Sequence, residues 1–152
     1  MTERKVTHAT FAIERIYPAP PQRVFQALSD KAAKMKWFVG PGEWKARTYK
    51  MDFRVGGRER LVGGIEGEPP HSFDAIYQDI VENQRIIYTY DMHVGDKRIS
   101  VSLATMELAP EGSGTRLKLT EQGAFLDGYD NAADREEGTR VLLDQLGRAL
   151  AG

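Results

Sequence analysis

The chain has 152 residues, the length of one domain with a single full core, and no repeat, low-complexity tract or long linker divides residues 1–152. Its 21 basic and 22 acidic residues are well mixed, leaving a net charge of −1 with no basic stripe or acidic tail, which argues against nucleic acid and membrane surfaces as partners. Cysteine is absent, apolar runs are too short for a transmembrane helix, and Met1-Thr-Glu-Arg-Lys-Val6 lacks the apolar stretch of a signal peptide, so the expected setting is the cytoplasm, without disulfides or thiol chemistry.

Residues 7–17 alternate Phe11 and Ile13 against Ala12 and Glu14 and read as a strand, ended by Tyr17-Pro-Ala-Pro-Pro21 because proline cannot continue a ladder. Pro20 or Pro21 suits a first helical turn, and Val24, Phe25 and Leu28 give a short amphipathic helix. Ser29-Asp30 breaks it, and Asp30 can cap a second short helix over 31–37 that carries Met35 and Trp37. Beyond the Val39-Gly-Pro-Gly42 turn, strands are predicted over 44–53, 58–63, 72–81, 85–93, 98–108 and 115–121. Their short connections favour antiparallel neighbours, a meander of about seven strands.

Ile86, Tyr88, Tyr90 and Met92 share one face of the predicted sheet, and Leu117 and Leu119 share theirs with Glu121. Between Ile99 and Leu108 the apolar phase slips from odd to even positions, which a bulge near Ala104–Thr105 would explain. An apolar sheet face must be covered, and the 131–150 stretch is the only long helical pattern, with Leu142, Leu146 and Leu150 at spacings of four and Asp130 placed to cap it. Gly138 falls on that buried face and costs about 1 kcal/mol of helix stability against alanine, which points to a close-packed strand or an empty volume beside it. The expected class is α+β, a curved antiparallel sheet gripping a long C-terminal helix.

Three ordered motifs, Gln22-Arg-Val-Phe-Gln-Ala-Leu-Ser-Asp30, Lys36-Trp-Phe-Val-Gly-Pro41 and Asp52-Phe-Arg-Val-Gly-Gly57, precede Arg85-Ile-Ile-Tyr-Thr-Tyr90, Gly114-Thr-Arg-Leu-Lys-Leu-Thr120 and the Leu-rich end. Together they resemble the bacterial branch of the heat-shock chaperone ATPase activator-like family, within the START and birch-pollen-allergen (SRPBCC) superfamily, whose members often carry polyketide cyclase-like labels. The resemblance implies the helix-grip fold, two short helices after the first of seven strands, and a hydrophobic cavity between sheet and helix that would give Gly138 its reason. It carries over no catalytic residue, and fold analogy alone does not assign chemistry.

In such a cavity Trp37, Phe38, Trp44, Met51, Phe53, Tyr77, Tyr88, Tyr90, Met92, Met106, Leu108 and Phe125, with Gly138 and Leu142 of the helix, would line a small hydrophobic or aromatic ligand, Tyr88 and Tyr90 foremost. Taken singly, each also reads as ordinary core. Glu121 shares the phase of Leu117 and Leu119, where relatives often have histidine. As a buried carboxylate it could serve as a general base or hold a polar ligand head; the plain alternative is a strand-end residue reaching solvent. Glu59 shares the phase of Leu61, where relatives often have an aromatic residue, and would need a partner if buried. Asp52 and Arg54 fit a strand end better than an anion site. His8, His71 and His93 lack ligand spacing, no metal or cofactor signature is present, and Phe125 and Tyr129 lie in a predicted connection where a lid would sit.

Three functions remain in play. The first is a binding protein for a small hydrophobic molecule. The second is a cyclase- or hydrolase-like enzyme acting on a polyketide or aromatic substrate through Glu121 or Glu59. The third is an interaction protein that stimulates a chaperone ATPase. A homodimer formed through an exposed sheet edge is compatible with the sequence.

Overall fold

Period-two alternation of apolar and polar side chains builds one seven-stranded antiparallel sheet in the computed structural model, which describes residues 3–152. In chain order the elements are β1 (Val6–Tyr17), α1 (Pro21–Ser29), α2 (Lys31–Lys34), β2 (Lys45–Met51), β3 (Arg58–Gly64), β4 (His71–Val81), β5 (Arg85–Val94), β6 (Lys97–Glu111), β7 (Gly114–Leu126) and α3 (Ala132–Ala151). Strands β2 to β7 form the expected meander. β1 does not join it beside β2; it pairs with β7, giving the order β1-β7-β6-β5-β4-β3-β2. The two short helices therefore carry the chain from one edge of the sheet to the other. Asp30 caps α2, its carboxylate accepting from the Ala33 amide at 2.9 Å, but that helix stops at Lys34 rather than reaching residue 37.

The inner face is apolar as its phase requires: Ile86, Tyr88 and Tyr90 of β5 and Leu117 and Leu119 of β7 are buried. The phase slip in β6 has a different location from the one expected. Register against β5 shifts where His93 faces Arg98 and Met92 faces Ser100, leaving Ile99 as the extra residue; around Ala104 and Thr105 it is unbroken. Ile99 and Ser100 are both buried, and from Ser100 onward the even positions face inward.

Helix α3 runs for 20 residues, about 30 Å at 1.5 Å each. Its cap is Asn131, whose side-chain oxygen accepts from the Asp134 amide at 2.9 Å; Asp130, the residue expected in that role, pairs with Arg135 instead. The stripe that enters the core is Leu143, Leu146 and Leu150, while Leu142 stays half-buried and turns, with Gly138, to another side. The helix is fastened toward β1 and α1, its closest backbone neighbours. The Tyr17 hydroxyl donates to the Leu143 carbonyl at 2.7 Å, Arg15 pairs with Asp144 at 3.0 Å, and Gln145 Nε2 donates to the Trp37 carbonyl at 2.6 Å. Over the β3–β5 half of the sheet the helix is held only near its start, where Arg135 reaches Tyr90 of β5 and Ser100 of β6, and beyond that contact space remains.

Candidate functional site

That space is a pocket of about 470 Å³ with mainly apolar walls. Of the residues expected to line a cavity, Trp37, Phe38, Trp44, Tyr88, Tyr90, Met92, Met106, Gly138 and Leu142 do so, and Glu121 joins them. A Cβ built on Gly138 would meet nothing within 4 Å, so the glycine is a stretch of cavity wall and not a packed seam. Trp44 closes the side nearest β2. Its indole lies so close to Gly40 and Gly63 that a Cβ at either position would overlap the ring.

Met51, Phe53, Tyr77, Leu108 and Phe125 are not among the residues lining the pocket. Phe53 packs edge-on against Phe25 at 5.7 Å and Tyr77 at 4.9 Å, where α1 fills the sheet's concave end. Phe125 is no lid: β7 continues through Leu126, and the ring is buried with the Arg135 guanidinium 5.4 Å above it. Tyr129 is exposed, with Lys97 over its ring. The pocket also takes Lys34, Leu61, His71, Phe73 and Arg135, which sequence reasoning passed over. Phe73 was legible from its alternation with Ala75 and Tyr77. Arg135 was not, since it belongs to the charged side of the helix by sequence.

Arg135 organises one polar end of the pocket. Its Nη2 meets Asp130 at 2.8 Å and donates to Ser100 Oγ at 2.7 Å, and its Nη1 donates to the Tyr90 hydroxyl at 3.0 Å. Tyr90 in turn donates to Glu121 Oε2 at 2.8 Å, while Arg135 itself stays 3.8 Å from that oxygen. Glu121 is 2% exposed. Burial raises its pKa above the usual carboxylate value; the Tyr90 hydrogen bond and the Arg135 charge pull it back, and Asp130 pushes it further up. Ser102 Oγ is the fully enclosed side-chain polar atom left without a partner among the described residues. Glu121 Oε1 and the Tyr88 hydroxyl have no hydrogen bond there either, so both open onto the pocket they line. Burial, with Tyr90, Glu121 and Glu59 nearby, holds the Tyr88 phenol well above its ordinary range.

Glu59, 1% exposed, anchors the other polar cluster and is saturated. Lys34 Nζ lies 2.8 Å from Oε1, the Tyr49 hydroxyl donates to Oε2 at 2.7 Å, and the Tyr77 hydroxyl donates to Oε1. Burial first, then Glu59, drives both phenols well above their ordinary pKa. Lys34 also sits over the Phe38 ring, 4.5 Å from its centre. Both oxygens of Glu59 are thus engaged within the fold, and of the two carboxylates singled out in the sequence only Glu121 lines the pocket.

The family described as Activator of Hsp90 ATPase homolog 1-like protein matches the chain over residues 18–151. The chain belongs to this family. Among the solved structures similar to this Hsp90 ATPase activator-like chain is an uncharacterised protein from Rhizobium leguminosarum, 47% identical, covering 99% of each chain with a TM-score of 0.93. A Rhizobium loti protein is 50% identical over 95% of this chain and 99% of its own, with a TM-score of 0.89. CalU16 from Micromonospora echinospora, 21% identical over 99% of this chain and 86% of its own at a TM-score of 0.67, shares the fold. No curated protein matches this activator-like chain. Among its described residues no helix is long and apolar enough to cross a membrane.

Proposed function

We propose that this protein binds a small hydrophobic molecule in the pocket between the sheet and α3. The observation that carries the reading is the volume itself: about 470 Å³, inside the range of small-molecule sites, walled by aromatic and aliphatic side chains and left open by a glycine in the middle of a helix. The few polar groups turned inward, the Tyr88 hydroxyl and Glu121 Oε1, are the sort that orient a ligand whose remaining surface is apolar. Native mass spectrometry of protein purified from its own host is expected to show a retained small molecule. Lipophilic compounds that fill the pocket are expected to quench the Trp44 and Trp37 indoles and raise the melting temperature. A protein that carries nothing and responds to no lipophilic class would exclude the reading, and would favour a protein-interaction role.

A second reading, catalysis, is favoured by one observation: Glu121 is a buried carboxylate with a raised pKa and an oxygen open to the pocket. Glu121→Gln separates the two. Loss of turnover at saturating substrate marks Glu121 as catalytic; unchanged conversion takes Glu121 out of the chemistry, and no conversion by either protein leaves a binder.

A further inference from the structure

The charges facing the pocket do not cancel, and the imbalance says which ligands it prefers. Lys34 is neutralised by Glu59 at 2.8 Å. Arg135 is in direct contact with Asp130 at 2.8 Å and stands 3.8 Å from Glu121, too far for a hydrogen bond. One guanidinium thus serves two carboxylates and touches only Asp130. Asp134, the third acid of the lining, stands at the start of α3 and accepts from the Asn131 side-chain amide at 2.8 Å. That leaves Glu121 as the deeply buried acid without a contacting cation. Its Oε2 is held by Tyr90 while Oε1 opens inward. Beside it stand Phe73, Tyr88 and Tyr90, with ring centres 4.8 Å apart for Phe73 and Tyr90, 6.2 Å for Phe73 and Tyr88 and 5.8 Å for Tyr88 and Tyr90. An aromatic cluster next to a carboxylate that shares its one nearby cation with Asp130 is a setting that attracts organic cations. An anion would find both pocket cations already occupied and would bury an unpaired charge.

Resting on the binding reading above, we propose that the pocket selects lipophilic amines, the ligand's ammonium pairing with Glu121 Oε1 while its apolar body lies along Phe38, Trp44, Met106 and Leu142. The free protein keeps a proton on Glu121 more readily than an exposed glutamate does, and binding settles that proton. A neutral amine takes it and becomes the ammonium; an amine that arrives protonated displaces it to solvent. Either way one carboxylate faces one ammonium.

Calorimetry on the full chain with matched ligands tests this: naphthylethylamine, naphthylethanol and naphthylacetate, and dodecylamine, dodecanol and dodecanoate. Within each set the amine is expected to bind tightest, at least about tenfold over the alcohol. Glu121→Gln is expected to erase that preference, the amine losing its advantage of about tenfold over the alcohol. Asp130→Asn is a second variant, at the rim. It leaves Arg135 to neutralise Glu121, so the amine should weaken and the acid gain. An alcohol as tight as the amine, an acid tighter than both, or an amine preference that survives Glu121→Gln overturns the amine assignment and leaves the pocket standing. Failure of all six ligands overturns the assignment together with the binding reading.

Discussion

Glu59 and Glu121 are equally buried, yet their surroundings give them opposite tasks. Glu59 receives Lys34, Tyr49 and Tyr77 and is fully paired, so its contribution is structural. Removing one partner of such a pair strands a buried charge, whereas removing both charges does not. Lys34→Met is accordingly expected to cost about 3–5 kcal/mol, read as a lowered denaturation midpoint, and adding Glu59→Gln should recover a large part of that loss. Glu121 has one firm donor, and burial raises its pKa above 4.5. In the unfolded chain the group returns to its ordinary value, so the folded protein holds the proton to higher pH. Its contribution to stability is complete below the unfolded pKa and is lost as pH climbs through the raised folded value. Glu121→Gln resembles the protonated form at every pH. Thermal melts from about pH 4 to pH 8 should show the variant matching the parent in acid and overtaking it as pH rises. A parent that gains on the variant toward alkaline pH would mean that Arg135 governs the site and burial does not.

At the level of elements, α3 both closes the core and leaves the pocket open. Leu143, Leu146 and Leu150 seat against buried side chains, while Gly138, Leu142 and Arg135 face the pocket. The helix is held off the sheet by tethers on both sides of the pocket: Tyr17, Arg15 and the 37–39 segment on one, and Arg135 reaching Tyr90 and Ser100 on the other. Since nothing approaches a Cβ at Gly138, alanine there removes the helix cost of glycine without a clash. Gly138→Ala should therefore stabilise the protein by about 1 kcal/mol, seen as a shifted urea midpoint at unchanged slope. Gly138→Phe should put a ring into the pocket and abolish ligand binding while the protein stays folded. A destabilised alanine variant would show that the glycine packs against something after all.

For the whole molecule, sheet curvature and an offset helix make a pocket part of the fold, and occupancy must then add to stability. A ligand at one hundred times its dissociation constant is expected to contribute about 2.7 kcal/mol, with a melting temperature that climbs with ligand concentration. The sequence by itself determined the seven strands, the long final helix and the inward phase of Tyr88, Tyr90, Leu119 and Glu121, because alternation and helical spacing are local properties of the chain. It also marked Gly138, since a glycine inside a helix is anomalous wherever it occurs. The resemblance between ordered motifs located the family. Other features were settled only by tertiary structure. β1 joins β7 rather than β2, a pairing between residues 98 to 120 positions apart that no local pattern encodes. Tyr77 and Phe125 have the same inward phase as Tyr88, but Tyr77 packs on Phe53, which lies beyond the end of β2 against Phe25 of α1, and Phe125 lies under Arg135. Arg135 and Lys34 are pocket residues that no local pattern marks, because whether a charge can be buried depends on a partner reaching it across the fold. Composition and periodicity place side chains on faces; the distance between faces, and so the existence of a cavity and the sign of its missing charge, is a property of the packed molecule.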